Sequence, residues 1–332
     1  MRNRQLALSI LVVLFAAAGV VAQESVIRTR TTVVLVPTLV KDPQGKLIDG
    51  LGAEDFIIKD DGVAQTVRLD EVFDSQPVSL VVAVQRGGSA DREFGRMKGL
   101  GEMLDPAIDQ GKTEIAIVEF DSHVRLTRDF TKDGSLIRRI LANPRFGDGG
   151  AAILDAVNYS VKLLDKRPVD HQRVLLLISE TRDHGSSLRI IDVATTLANS
   201  NTVTYTLAFS PAMSALLDPF RGPARNNTAP MDLLAPIFMS VEAMRRNVPK
   251  TVAALTGGEY QVFKSTGGFD MRMTEFDNHL FSRYLLSFEP KEPHPGFHNI
   301  EVRLSRPAAA VVLARTSYWI EPILRTESKE RP

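Results

Sequence analysis

The sequence predicts an α/β fold, a doubly wound and mostly parallel sheet with a small β-unit on each side. Three observations predict it. Two uninterrupted apolar runs, PVSLVVAV at 77–84 and RVLLLIS at 173–179, read as strands buried on both faces. Around them, strand-like runs alternate with helix-patterned segments from about 76 to 265, as βα crossovers require. Outside that span the texture changes to short alternating runs punctuated by turn residues.

Taken in order, residues 1–22 read as a signal peptide. Arg2 and Arg4 precede an apolar stretch from Leu6 to Ala22 broken only by Ser9, and Val20 and Ala22 are small residues at −3 and −1 before Gln23. The expected product is an exported chain, periplasmic or extracellular, meeting the membrane only transiently. An uncleaved anchor is the alternative. Residues 23–75 read as an N-terminal β-module: VIRTRTTVVLVPTLVKD is strand-like, Asp42-Pro43-Gln44-Gly45 is a turn, and Asp61-Gly62 is a hairpin signal.

The span 76–265 follows as the α/β domain. TEIAIVEF and HVRLTRDF are strands joined at Asp121-Ser122, and TVTYTLAF and EYQVFKS are later ones. Helices are expected near 91–107, 133–142, 151–165, 187–199 and 231–255, the last broken by Pro236 and Pro249. Residues 211–230 read as a loop, and Pro211, Met213, Leu216 and Leu217 make it either an apolar docking patch or a core contribution. Residues 266–323 read as a helix near 269–281 and a closing hairpin or three-strand unit packed by Tyr284, Phe288, Tyr318 and Trp319. Residues 324–332 read as a loose tail. Rim loops at the strand C-termini are where such a sheet takes its ligand.

Composition narrows the function. The chain has 332 residues, 40 Lys+Arg against 40 Asp+Glu, so no basic excess exists for a nucleic-acid partner. Cys is 0, which removes disulfides, thiolate nucleophiles and Cys-based zinc sites. The histidines number 6 (His123, His171, His184, His279, His294 and His298), and none has HExxH spacing. His294 and His298, in a Pro/Gly turn, read as surface-turn residues. Neither Arg86-Gly87-Gly88-Ser89 nor Gly147-Asp148-Gly149-Gly150 has nucleotide-loop spacing.

The segments SLVVAVQRGGS, GDGGAAILDAV and VLLLISETRDHGS resemble the three rim segments of a von Willebrand factor type A domain. The flanks, VLVPTLVKDPQGKLIDGLGAEDFIIKDDGVAQTV and ALTGGEYQVF through RYLLSFEP, HNIEVRLSR and ARTSYW, are similar to those of the von Willebrand factor A-related exported proteins abundant in Acidobacteria. The resemblance implies a rim with a metal-ion-dependent adhesion site: Asp-x-Ser-x-Ser after the first strand, a Thr before the third helix, and an Asp after the fourth strand. These supply hard oxygen donors to a Mg²⁺-like ion with one position open for a partner's carboxylate.

At those positions this sequence has Gln85, Gly87, Ser89, Ala151 and Glu180, so a single hydroxyl and a displaced carboxylate remain. The expectation is therefore a degenerate metal site and no cofactor. The protein reads as a non-enzymatic interaction protein, an adhesin or scaffold, binding a protein or peptide partner through Gln85, Arg86, Gly87, Ser89, Asp148, Ala151 and Glu180. Arg86 would act as a fixed cation for an acidic partner. One alternative is a remodelled Mg²⁺ or Ca²⁺ cage of Ser89, Asp121, Asp148, Glu180 and Asp183. The other is a Ser-type hydrolase using His184 and Ser186, although Ser186 also suits capping of the helix that follows it.

Overall fold

A computed structural model describes residues 32–70, 76–109, 111–209, 235–306 and 309–321, with backbone alone for 235–240. The expected signal peptide at 1–22, the expected loop at 211–230 and the expected tail at 324–332 lie outside the described residues. Among the described residues no helix is long and apolar enough to cross a membrane.

The first segment contributes β1 (Val34–Lys41), β2 (Phe56–Asp60), β3 (Val63–Ala64) and β4 (Arg68–Asp70). Strands β5 (Val78–Gln85), β6 (Thr113–Phe120), β7 (Val124–Thr131), β8 (Gln172–Ser179), β9 (Val203–Phe209) and β10 (Tyr260–Phe263) follow. The helices among and after them are α1 (Asp105–Asp109), α2 (Gly134–Ala142), α3 (Ile153–Leu164), α4 (Ile190–Asn199), α5 (Ala235–Arg246), α6 (Val248–Thr256) and α7 (Thr266–Leu280). The chain closes with β11 (Tyr284–Phe288), β12 (Gly296–Leu304), β13 (Val311–Ala314) and β14 (Ser317–Ile320).

The expected α/β class is found. Six strands order as β10-β9-β8-β5-β6-β7, all parallel except the edge strand β7. Every residue of β5 is buried, because side chains alternate between two covered faces. Leu80, Val82 and Val84 meet Leu104, Ile137, Phe269 and Met273 on one face, and Val81 and Ala83 meet α3, α4 and α6 on the other. At about 1.5–3 kcal/mol for each large apolar side chain removed from water, these two layers dominate stability.

Capping fixes the helix starts. Asp133 accepts from the Leu136 amide before α2, Asn247 from Lys250 before α6, and Ser265 from Gly268 before α7. Pro249 therefore stands in the first turn of a new helix rather than breaking a long one, and Gly257 at φ 75° closes it.

Three expectations change. Residues 91–107 are not one helix. They form short 3₁₀ turns at Ala90–Arg92 and Glu102–Leu104 before α1. Gly95, Gly99 and Gly101 remove helix propensity there, and a Cβ on Gly101 would meet Arg138 Cα at 2.7 Å. Second, the terminal β-segments interleave. One antiparallel sheet orders as β13-β1-β11-β4 and another as β14-β12-β2-β3, so each takes strands from both ends of the chain. Val36, Ile58, Leu286, Phe288 and Tyr318 fill the space between them. Helix α7, grouped by sequence with the C-terminal unit, instead covers the six-stranded sheet through Phe269, Met273, Phe276 and Leu280. Third, His298 is no surface-turn residue, since it lies fully buried in β12.

Candidate functional site

The sheet order positions the site. β5 neighbours β6 on one side and β8 on the other, so the loops leaving the carboxyl ends of β5 and β8 diverge and leave a crevice between them. That is the topological switch point, where open α/β sheets take their ligands. Gln85 ends β5 at this crevice with no exposed surface. Its Nε2 donates to Gly87 O at 2.9 Å, and its Oε1 accepts from the Glu180 amide at 2.9 Å. The neutral amide can do both, and a carboxylate cannot. Gln85 is thus a bracket joining the two loops.

Arg86 does not face the rim surface. It is 5% exposed, and its guanidinium reaches Glu119 at the end of β6, with Nε at 2.8 Å and Nη2 at 2.7 Å from Oε1. The Glu119 carboxylate also accepts from Thr127 Oγ1 at 2.8 Å. Burial pulls the Arg86 pKa down, and Glu119 pulls it back up. The fixed-cation role is corrected accordingly, since this charge is spent inside the fold.

Gly87 is enclosed by backbone. A Cβ there would sit 2.3 Å from Gly150 O and 2.7 Å from Asp148 O, and Gly88 N donates to Asp148 O at 3.0 Å. The 147–150 loop is folded down onto the position where the resemblance expects a serine ligand. Gly87→Ser is therefore expected to destabilise by at least about 2 kcal/mol through overpacking. Its melting temperature should not respond to millimolar Mg²⁺. A variant as stable as the parent that melts later with Mg²⁺ would show that only the hydroxyl was missing.

Glu180 is 6% exposed and directly follows β8 at the switch point. Its Oε2 accepts from Ser89 Oγ at 2.6 Å, and its Oε1 contacts His184 Nε2. The His184 and Ala151 backbones pair in both directions, at 2.7 and 3.0 Å, pinning the 180–186 loop to the start of α3. Asp148 Oδ1 accepts from Gly150 N at 2.8 Å and from Ser122 N and Oγ, each at 3.0 Å. The Gly150 amide first, and then that of Ser122, holds its pKa below the usual carboxylate range.

The five proposed metal donors separate into three places. Ser89 pairs with Glu180. Asp121 and Asp148 lie together with His123, their ligand atoms within 4.8 Å of one another. Asp183 instead caps α3, accepting from Leu154 N at 3.0 Å. Ser186 donates to Asp183 at 2.6 Å and accepts from Asp155 N at 3.1 Å, so it caps the preceding helix rather than the following one. The hydrolase pair is not assembled, because the Ser186 hydroxyl bonds Asp183 while the His184 ring bonds Glu180. A serine–histidine contact does occur between Ser79 and His171 at 2.8 Å, but Ser79 lies fully buried in β5 at the opposite end of the sheet.

Sequence reasoning missed Phe146. It is 79% exposed on the rim loop, beside Asp148, and its ring lies 5.8 Å from that of Phe94. Phe94 in turn lies 5.3 Å below the Arg86 guanidinium. The signal was an aromatic between Pro144 and Gly147 in an otherwise polar turn.

No family model and no curated protein matches the chain. Solved structures similar to it include the von Willebrand factor domain of a type V pili tip protein from Porphyromonas gingivalis. That likeness is 14% identical, covers 32% of this chain and 39% of that one, and has a TM-score of 0.28. An aerotolerance-related membrane protein from Bacteroides fragilis is 15% identical over 61% of this chain and 99% of its own, with a TM-score of 0.40. The pilus adhesin SpaC from Lactobacillus rhamnosus GG, in its open conformation, is 10% identical over 86% of this chain and 47% of its own, with a TM-score of 0.41.

Proposed function

We propose that the protein is exported and non-enzymatic, and that it binds a protein or peptide partner at the rim above β5 and β8 without a divalent ion. One observation carries the reading. Gln85, Ser89, Glu180 and His184 bond one another at the switch point, so the oxygen donors there are consumed by the fold. What the rim offers outward is an exposed aromatic, Phe146, on the same loop as Asp148. Aromatic side chains ringed by polar groups are the usual anchors of protein interfaces. Export rests on residues 1–22, with their basic start, apolar run and small-residue exit.

A second reading keeps a metal at the rim, because Asp121, His123 and Asp148 cluster tightly enough to share one. The experiment separates the two. The immobilised mature chain captures partners from an envelope extract of the source cells, with and without EDTA, beside the Phe146→Ala variant. Captured species that survive EDTA and vanish with Phe146→Ala are expected. Loss with EDTA and retention in Phe146→Ala would establish the metal reading.

A further inference from the structure

A cavity of about 360 Å³ lies where β8 and β9 begin, at the end of the sheet opposite the rim. The terminal strands create it. VLVPTLVK of β1 and YLLSF of β11 carry apolar residues on both faces, so each strand has two faces to cover. Val36 and Leu286 fill the space between the two sheets of the β-unit. Their neighbours Leu35 and Leu285 turn the other way, toward Val174 of β8, Val203 and Tyr205 of β9 and Leu280 of α7. That second face is covered incompletely, and the cavity is what remains. Val169, 95% exposed, belongs to the lining and marks the mouth.

The polar part of the lining is cationic. Arg283, 6% exposed, donates from Nε to Tyr205 OH at 2.8 Å and from Nη1 to Gly257 O at 2.7 Å. Its Nη2 is buried with no acceptor, and no carboxylate pairs with this guanidinium among the described residues. A buried cation in that state is one counter-charge short. Arg173, also in the lining, donates from Nη2 to Arg167 O at 3.0 Å and reaches Asp165 only at 3.4 Å. Asp70 is the one acidic residue of the lining, so the two arginines exceed the carboxylates there by one.

We infer that this cavity binds a medium-chain monocarboxylate, a fatty acid-like molecule, with its tail among the apolar residues and its head toward Arg173 and Arg283. Volume and make-up are those of a small-molecule site, roughly 300–1,000 Å³ with an apolar lining and a few polar groups. The head is a monoanion because the lining has one positive charge to balance. Guanidinium N–H groups match a carboxylate in shape, and the bond gains from exclusion of water. The tail removes apolar surface from water on both sides of the cavity, so the ligand fastens the six-stranded sheet to the β-unit. This site is independent of the rim, which lies at the other ends of the same strands.

The test uses the mature chain, passed over a hydrophobic resin and titrated by calorimetry with decanoate, decanol and decylamine below their micelle-forming concentrations. One saturable equivalent of decanoate is the expected result, with decanol and decylamine at least about tenfold weaker. Arg173→Gln, at a partly exposed position, should remove most of the preference for decanoate over decanol. Leu35→Phe, also partly exposed, should weaken decanoate at least about tenfold by filling the cavity, with its circular dichroism matching the parent. Less than a tenth of an equivalent bound would overturn the proposal, and so would equal affinity for decanol. Decanoate binding that survives Leu35→Phe but is lost in Phe146→Ala would also overturn it, since that outcome places the molecule at the rim.

Discussion

Arg86→Ala is expected to lower the free energy of unfolding by about 3–5 kcal/mol, the cost of stranding one partner of a buried ion pair. Glu119 is 3% exposed, and without Arg86 its carboxylate keeps only the Thr127 hydroxyl. The guanidinium also supports the Phe94 ring that carries Phe146, so the exposed aromatic should lose its seat along with the stability. Arg86→Met/Glu119→Gln removes both charges together and should recover more than half of the loss, because the cost lies in the unpaired charge rather than in the pair's net contribution. Urea unfolding with a common m-value measures both effects. A single-variant loss below 1 kcal/mol would mean that water reaches Glu119 and that the pair is not dry. Partner capture by the double variant then separates an interface role for Arg86 from a supporting one. Retained capture is expected.

Much of this arrangement was legible in the sequence, and the illegible part has a physical pattern. β5 and β8 announce themselves, because a strand covered on both faces needs an unbroken apolar run. Asp61-Gly62 announces its turn because two successive positive φ values demand such residues. Their loops follow from topology, which is why Gln85, Ser89 and Glu180 do meet. What local pattern does not carry is the partner of a charge. Arg86 reads as a solvated loop arginine until Glu119, 33 residues away, is placed beside it by the β5–β6 register. The clue was Glu119 itself, a carboxylate near the end of the apolar strand TEIAIVEF, where an unpaired charge is not sustainable.

The β-unit was illegible for a related reason. β1 pairs with β11 through Val36 and Leu286, which lie at opposite ends of the chain, and no periodicity within either segment encodes that register. His298 follows the same logic. In the alternating run HNIEVRL a histidine looks turn-bound, until pairing with β14 and the adjoining β2 turn closes over it. At the rim Gln85 and Ser89 each bond Glu180 across two loops, while in the β-unit His298 lies against Asp60 and Asp61 of the β2 turn.

Lowering the pH from 5 to 2 is expected to remove about 3 kcal/mol of stability through one group, Glu259. This carboxylate sits between the two halves of the fold. It accepts from Lys41 Nζ of β1 at 2.6 Å and contacts His279 Nδ1 of α7 at 2.6 Å. Burial pushes its pKa up, but the hydrogen bond from His279, then that from Lys41, and their charges outweigh it and bring the pKa from 4.5 to about 2. A carboxylate held below its unfolded value contributes fully above that value and loses the contribution as the pH falls toward the folded one. The window is therefore roughly pH 5 to 2, with stability falling on the acid side. Glu259→Gln should cost about 3 kcal/mol at pH 7, through loss of both charge-assisted contacts to groups that stay largely buried. Because the variant has no proton to gain there, its deficit should shrink steadily below pH 4.5 and nearly vanish near pH 2. Urea midpoints taken at half-unit steps for both proteins provide the measurement. Parallel pH profiles, with the deficit constant down to pH 2, would mean that Glu259 is solvated and that β1 and α7 are held together by apolar contacts alone.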